Sequence, residues 1–150
     1  IGSKEELFAE LMDIYLDTRH MDMARRAAWV MRECVHEYPD LIAPYLDRLV
    51  DHLRNEGLHD AVRRNGLGVF LEVSVPKRIY GRLTDLCFAL LMDPGQAIAI
   101  RAISMKLLAR IGDRIPEIRH ELKLILEDHY DFESNGFRST ARRILQNKPV

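Results

Sequence analysis

Apolar residues recur along this chain every three or four positions and nowhere alternate with polar ones. Leu7, Phe8, Leu11, Ile14 and Tyr15 mark a first stripe, preceded by Ser3 with Glu6 three residues on, the arrangement of a capping box. A helix is expected there, reaching about Arg19. Ala24, Ala28, Met31 and Val35 form the next stripe, running from a cap at Asp22 to His36, where Tyr38-Pro39-Asp40 breaks it. Ile42, Tyr45, Leu46, Leu49, Val50 and Leu53 mark a partner helix, with Pro44 tolerated in its first turn and Gly57 expected as its C-cap. The same alternation of stripe and break follows twice more. Val62, Val69, Phe70 and Val73 precede Ser74-Val75-Pro76; Ile79, Leu83, Leu86, Leu90 and Leu91 then run to Asp93-Pro94-Gly95. Ile100, Ser104, Leu107, Leu108 and Ile111 precede a turn from Gly112 to Pro116, and Ile118, Leu122, Ile125 and Leu126 follow it. A last stripe holds Phe137, Ala141, Ile144 and Leu145. With no strand pattern or hairpin signal, the fold class is all-α.

The stripes are also in register with one another. Ala24-Arg25-Arg26-Ala27-Ala28 returns as Val62-Arg63-Arg64-Asn65-Gly66, Ile100-Arg101-Ala102-Ile103-Ser104 and Phe137-Arg138-Ser139-Thr140-Ala141: apolar, Arg, any, any, small. The arginines stand 38 (25 to 63), 38 (63 to 101) and 37 (101 to 138) residues apart. Leu46, Leu49 and Leu53 each lie 37 residues before Leu83, Leu86 and Leu90. A period of that length signals stacked helix pairs. The small residue lets neighbouring helices approach closely, while the leucines fill the seam between pairs.

An apolar-Arg-x-x-small first helix, a Pro-containing turn and a leucine-rich second helix resemble the HEAT repeat family, over about Asp22 to Leu145. The resemblance implies an α-α superhelix of about eight helices in antiparallel pairs, a single domain over 1–150. Its parts would be a capping helix at 1–20, helix pairs at 22–55, 58–92 and 96–131, and a half repeat at 134–147. HEAT repeats often carry an aspartate before the arginine helix. Asp22 and Asp60 stand there, but Ile98 and Asn135 hold the equivalent later positions, so no continuous ladder is expected. The pattern also resembles short bacterial HEAT-like proteins, some of which carry purine-lyase names. The Met-Pro-x-Lys-x-Asn loop of such lyases is absent from this chain.

Charge narrows the classes of partner. Twenty-two Lys and Arg face twenty-three Asp and Glu, a balance without general attraction to nucleic acid or anionic membrane. No run of eighteen apolar residues suggests a membrane span. Cys34 and Cys87, each in an apolar stretch, fit reduced thiols and a cytoplasmic protein. The signs are unevenly placed: residues 1–20 hold five acids against two cations, a net of minus three, and residues 134–150 hold four cations and no acid. Ends of opposite sign can attract head to tail, but capping helices need polar outer faces in any case, so solubility and a monomer are expected rather than assembly.

Candidate chemistry is sparse. Glu117 and His120 are spaced as Glu-x-x-His, but di-iron bundles use two copies with further glutamates, so a solvated helix face is expected. No nucleophile elbow or phosphate loop appears. Gly66 and Gly68, inside a helix, call for close packing or a bend. Trp29 is expected to pack in or at the edge of the core. The four repeated arginines read as structural contacts. Arg48, Arg78, Arg82, Arg119 and Lys123 fall off the leucine stripes of the second helices, which line the concave side in HEAT arrays. The expectation is therefore a non-catalytic, cofactor-free scaffold binding a protein or peptide through those five cations. The alternative is a HEAT-like DNA glycosylase gripping DNA in a basic groove, which the near-neutral charge disfavours.

Overall fold

The computed structural model describes residues 3–150. Among them are eight α-helices and no strand: α1 (Lys4–Tyr15), α2 (Met21–Glu37), α3 (Leu46–His52), α4 (Asp60–Glu72), α5 (Tyr80–Met92), α6 (Ile98–Gly112), α7 (Pro116–His129) and α8 (Asn135–Leu145). The all-α class is the expected one. Packing gathers these elements into two compact units, Ile1–Ile79 and Tyr80–Val150, the boundary falling within the second expected pair.

Helix ends follow local hydrogen bonding more than apolar period. Ser3 Oγ accepts from the Glu6 N–H at 3.2 Å, and Ser134 Oγ from the Phe137 N–H at 3.3 Å, so both expected caps form. Elsewhere the boundaries move. Helix α1 stops at Tyr15 because Asp17 accepts from the Arg19 N–H at 2.9 Å and from its guanidinium, turning the chain before Arg19. Asp22 is not the cap of α2; His20 precedes the helix with its ring bonded to Asp17 rather than to the helix's own N–H groups, and Asp22 lies in the first turn, where its charge still complements the helix dipole. Residues Pro39–Tyr45 form a 3-10 turn, since Pro44 has no N–H to give an α-ladder, and α3 begins only at Leu46. Gly57 does not cap α3, whose ladder closes with the Leu53 N–H on the Leu49 carbonyl, and no described glycine has positive φ. The left-handed cap occurs instead after α8. Asn147 has φ 57°, and the N–H groups of Asn147 and Lys148 bond back to Ile144 and Arg143, a Schellman ending.

In the first unit α2 packs against α1, α4 and the 3-10 turn. Phe8, Met12 and Tyr15 of α1 and Ala24, Ala28, Met31 and Val35 of α2 are buried. Phe8 meets Tyr45 edge-on, with ring centroids 5.7 Å apart. The deepest tie is Tyr15, wholly buried, whose hydroxyl donates to the Val62 carbonyl of α4 at 2.8 Å. Gly66, one turn further along α4, makes room for that hydroxyl: a Cβ there would collide with Tyr15 Oη and stand 2.8 Å from Leu53 Cδ2. At Gly68 the obstacle is the guanidinium of Arg32, at 2.5 Å. The expected close packing at both glycines is therefore present, against a rigid neighbour at one and a movable one at the other.

In the second unit α6 packs against α5, α7 and α8. Ten of its fifteen residues are buried, which makes it a core helix rather than an amphipathic surface one. Ser104, at the small position of the motif, is wholly buried and donates to the Ile100 carbonyl at 2.9 Å. Gly112 ends α6 where a Cβ would sit 3.0 Å from the Arg119 backbone, so α6 and α7 meet main chain to main chain. Asp93 Oδ1 accepts from the Gly95 N–H at 2.9 Å and stops α5 as expected.

The two glycines of α4 should respond oppositely to a methyl group. Gly66→Ala gains about 1 kcal/mol of helix propensity but overpacks the immobile Tyr15 ring, for a net loss of about 1–2 kcal/mol in urea unfolding. Gly68→Ala keeps the propensity gain once Arg32 swings aside, and its stability should be unchanged or raised. Equal losses at both sites would contradict this packing.

Candidate functional site

The four repeated arginines have different environments. Arg101, 6% exposed, leaves α6 and donates from Nε to the Leu91 carbonyl in the last turn of α5, at 2.9 Å. Its two terminal nitrogens each reach one Glu133 oxygen at 2.8 Å, and its guanidinium stands 4.7 Å above the Phe137 ring of α8. One side chain thus satisfies an open helix-end carbonyl, pairs a carboxylate on both prongs and covers an aromatic face. The hydrogen bonds from Arg101 hold the Glu133 carboxyl below its usual range. Arg63, also buried, donates to the Asn55 carbonyl in the link that follows α3. Arg138 is half-buried, bonding Asn135 Oδ1 at 3.0 Å. Arg25 is exposed and only 3.9 Å from Asp22. The structural role expected for the series holds at Arg63 and Arg101, where a helix end lies within reach.

The five cations expected on the second helices fall in separate units. In the first, Arg78 donates to Asp47 through Nε at 3.2 Å and Nη2 at 2.9 Å. Arg48 is exposed and makes no ion pair with any described residue. It borders an open hollow of about 630 Å³ with Asp13, Ile14, Leu16, Asp17 and Arg19. In the second unit, Arg82 is half-buried on α5. Arg119 donates to the Ala109 carbonyl of α6 at 3.0 Å and to the Asp113 carboxylate. Lys123 donates at 2.9 Å to Asn147 Oδ1, on the left-handed cap of α8. Arg119 and Lys123 therefore tie α7 to the ends of its neighbours.

A second concavity in the first unit went unread in the sequence. Lys4, Glu5, Tyr38, Pro39, Leu41, Pro44 and Tyr45 line a groove of about 460 Å³, with the Lys4 ammonium 3.5 Å above the Tyr38 ring. Tyr38-Pro39 and Pro44-Tyr45 served only as helix punctuation and stripe; their mirrored pairing was the available signal. Trp29 departs from expectation more plainly. It is 62% exposed, because on α2 it lies opposite Ala24, Ala28, Met31 and Val35 and among Asp22, Arg25, Arg26 and Glu33.

Residues 1–148 match a known family, the HEAT repeat domain. The chain belongs to that family. Membership fits the helical-solenoid class and accounts for the periodic arginine helix, the buried small residue and the leucine-rich partner. No curated protein and no solved structure matches the chain. No described helix of this HEAT repeat protein is long and apolar enough to cross a membrane. Glu117 and His120 of α7 are exposed, and among the described residues no three His, Cys, Asp or Glu side chains converge as metal ligands would. Cys34 and Cys87 are free thiols; burial pushes the Cys87 thiol up, away from thiolate character.

The Arg101–Glu133 pair links stability to pH. A carboxyl whose folded pKa is depressed contributes stability above its unfolded value, about 4.3, which is lost as pH falls through the folded value. The wild-type melting temperature should therefore drop on acidification below about pH 4, and Glu133→Gln should drop less steeply. Identical acid slopes would remove the pair from this role.

Proposed function

We propose that this HEAT repeat protein is a non-catalytic scaffold that binds a protein or peptide partner on its second-helix side, with Arg48 as the leading contact. Arg48 supports this reading because it is the one cation of the five with neither a hydrogen bond nor an ion pair among the described residues. Its hollow sets a free guanidinium beside Ile14 and Leu16, and charge with apolar surface is what a peptide carrying a carboxylate and an aliphatic side chain would meet. Arg78 and Arg82 extend the candidate surface within their own units. Arg119 and Lys123 are weaker members, since a partner must compete with their internal bonds. The Tyr-Pro groove of the same unit adds rigid aromatic and proline surface of the sort extended peptides pack against.

Panning a random peptide library against the whole chain tests this reading. Selected peptides should be acidic with an adjacent aliphatic residue, and Arg48→Glu should weaken them about tenfold or more, the scale of a lost charge contact at an interface. Arg64→Glu, exposed on α4, should leave them unchanged. Equal effects of the two reversals would sink the Arg48 surface. A salt-dependent shift of duplex DNA would favour the nucleic-acid alternative instead.

A further inference from the structure

Two helix faces carry charges that no described residue neutralises. On α1, the side opposite the buried Phe8, Met12 and Tyr15 presents Glu6, Leu7, Glu10, Asp13 and Ile14, all exposed within about a third of a turn of the helix wheel. None of these acids pairs with a cation among the described residues, and Leu7 and Ile14 are 52% and 40% exposed. On α8, the side away from the buried Phe137, Ala141 and Ile144 presents Arg138, Arg142 and Arg143, with the half-buried Leu145 on its flank. These arginines bond only neutral oxygens: Asn135 Oδ1 at 3.0 Å, the Tyr130 hydroxyl at 3.0 Å and the Pro149 carbonyl at 2.7 Å. Their three positive charges stay uncompensated.

We infer that the acidic outer face of α1 docks on the basic outer face of α8 of a second copy of this chain. Each face carries several like charges, and the α1 face adds the exposed Leu7 and Ile14, so pairing them would neutralise charge and cover those two side chains. The occupant is a second copy because the two signs are segregated onto two helices of one chain whose total is only −1. A basic or acidic partner of another kind would satisfy one face and leave the other, whereas another copy satisfies both. The joined surfaces differ, so the contact is heterologous: two joined copies leave one α1 face and one α8 face free, and growth proceeds as an open chain or closes into a ring. The attraction is between exposed charges and is screened by salt.

Sedimentation velocity on the whole chain tests this. At about 20 mM salt the average mass should rise with protein concentration, and at about 0.5 M salt it should fall to a single copy. Glu6→Lys/Glu10→Lys and Arg142→Glu/Arg143→Glu should each remain single at low salt, because each makes both faces the same sign. Mixed in equal amounts, the two variants should associate again, which also shows that both are folded. If the lysine pair disturbs α1, Glu6→Gln/Glu10→Gln removes the charge at constant shape and should weaken association about tenfold or more. A wild type that stays single at low salt overturns the inference. So does association that survives both reversals, or a mixture that stays single.

Discussion

A guanidinium held out of water is the constraint on which the second unit depends. Arg101 cannot shed its charge, and at 6% exposure it must find partners inside the protein. It finds the Leu91 carbonyl of α5, both oxygens of Glu133 ahead of α8, and the face of Phe137. Helix α6 is thereby set against the end of one neighbour and the start of another by a single planar group. The first unit uses a lighter form of the same device: Arg63 reaches the Asn55 carbonyl beyond α3, and Tyr15 reaches Val62 of α4 through the gap that Gly66 leaves. Buried apolar stripes supply most of the driving force in both units, while these polar ties select which helix ends lie together.

The helices were legible in the sequence because burial on one face imposes a 3.6-residue period that side-chain chemistry alone reveals. The small position was legible too, since Ala28, Gly66, Ser104 and Ala141 are all buried. Helix limits were less so. They depend on which oxygen takes a free N–H, as Asp17 does for Arg19 and as Asn147 permits after α8, and hydrophobic spacing says nothing about that. The motif phase located each arginine without naming its partners. Asn55 and Leu91 lie eight and ten residues upstream of Arg63 and Arg101, and Glu133 lies 32 beyond Arg101, separations that only packing can close. Arg25, in the first copy of the motif, is left at the surface.

The same limit governs the candidate site. Lying off a leucine stripe places a cation outside the core, but not outside the reach of a helix end. Arg119 and Lys123 find such ends at Ala109 and Asn147, whereas Arg48 does not. The surfaces proposed for recognition are therefore not the five cations together but a hollow at Arg48, a Tyr-Pro groove and two oppositely charged helix faces. Each retains polar or apolar groups whose needs the fold does not meet, and that shared feature links the proposed peptide binding to the proposed self-association.

A motif arginine contributes to stability where it is buried and bound to helix ends, and not by its place in the repeat as such. Urea unfolding of Arg101→Met beside Arg25→Met at neutral pH tests it most directly. A loss of about 3 kcal/mol is expected at Arg101, where a carboxylate and a helix-end carbonyl are left without their donor, and less than about 0.5 kcal/mol at exposed Arg25. Equal losses at the two positions, or an Arg101→Met variant as stable as wild type, would contradict it.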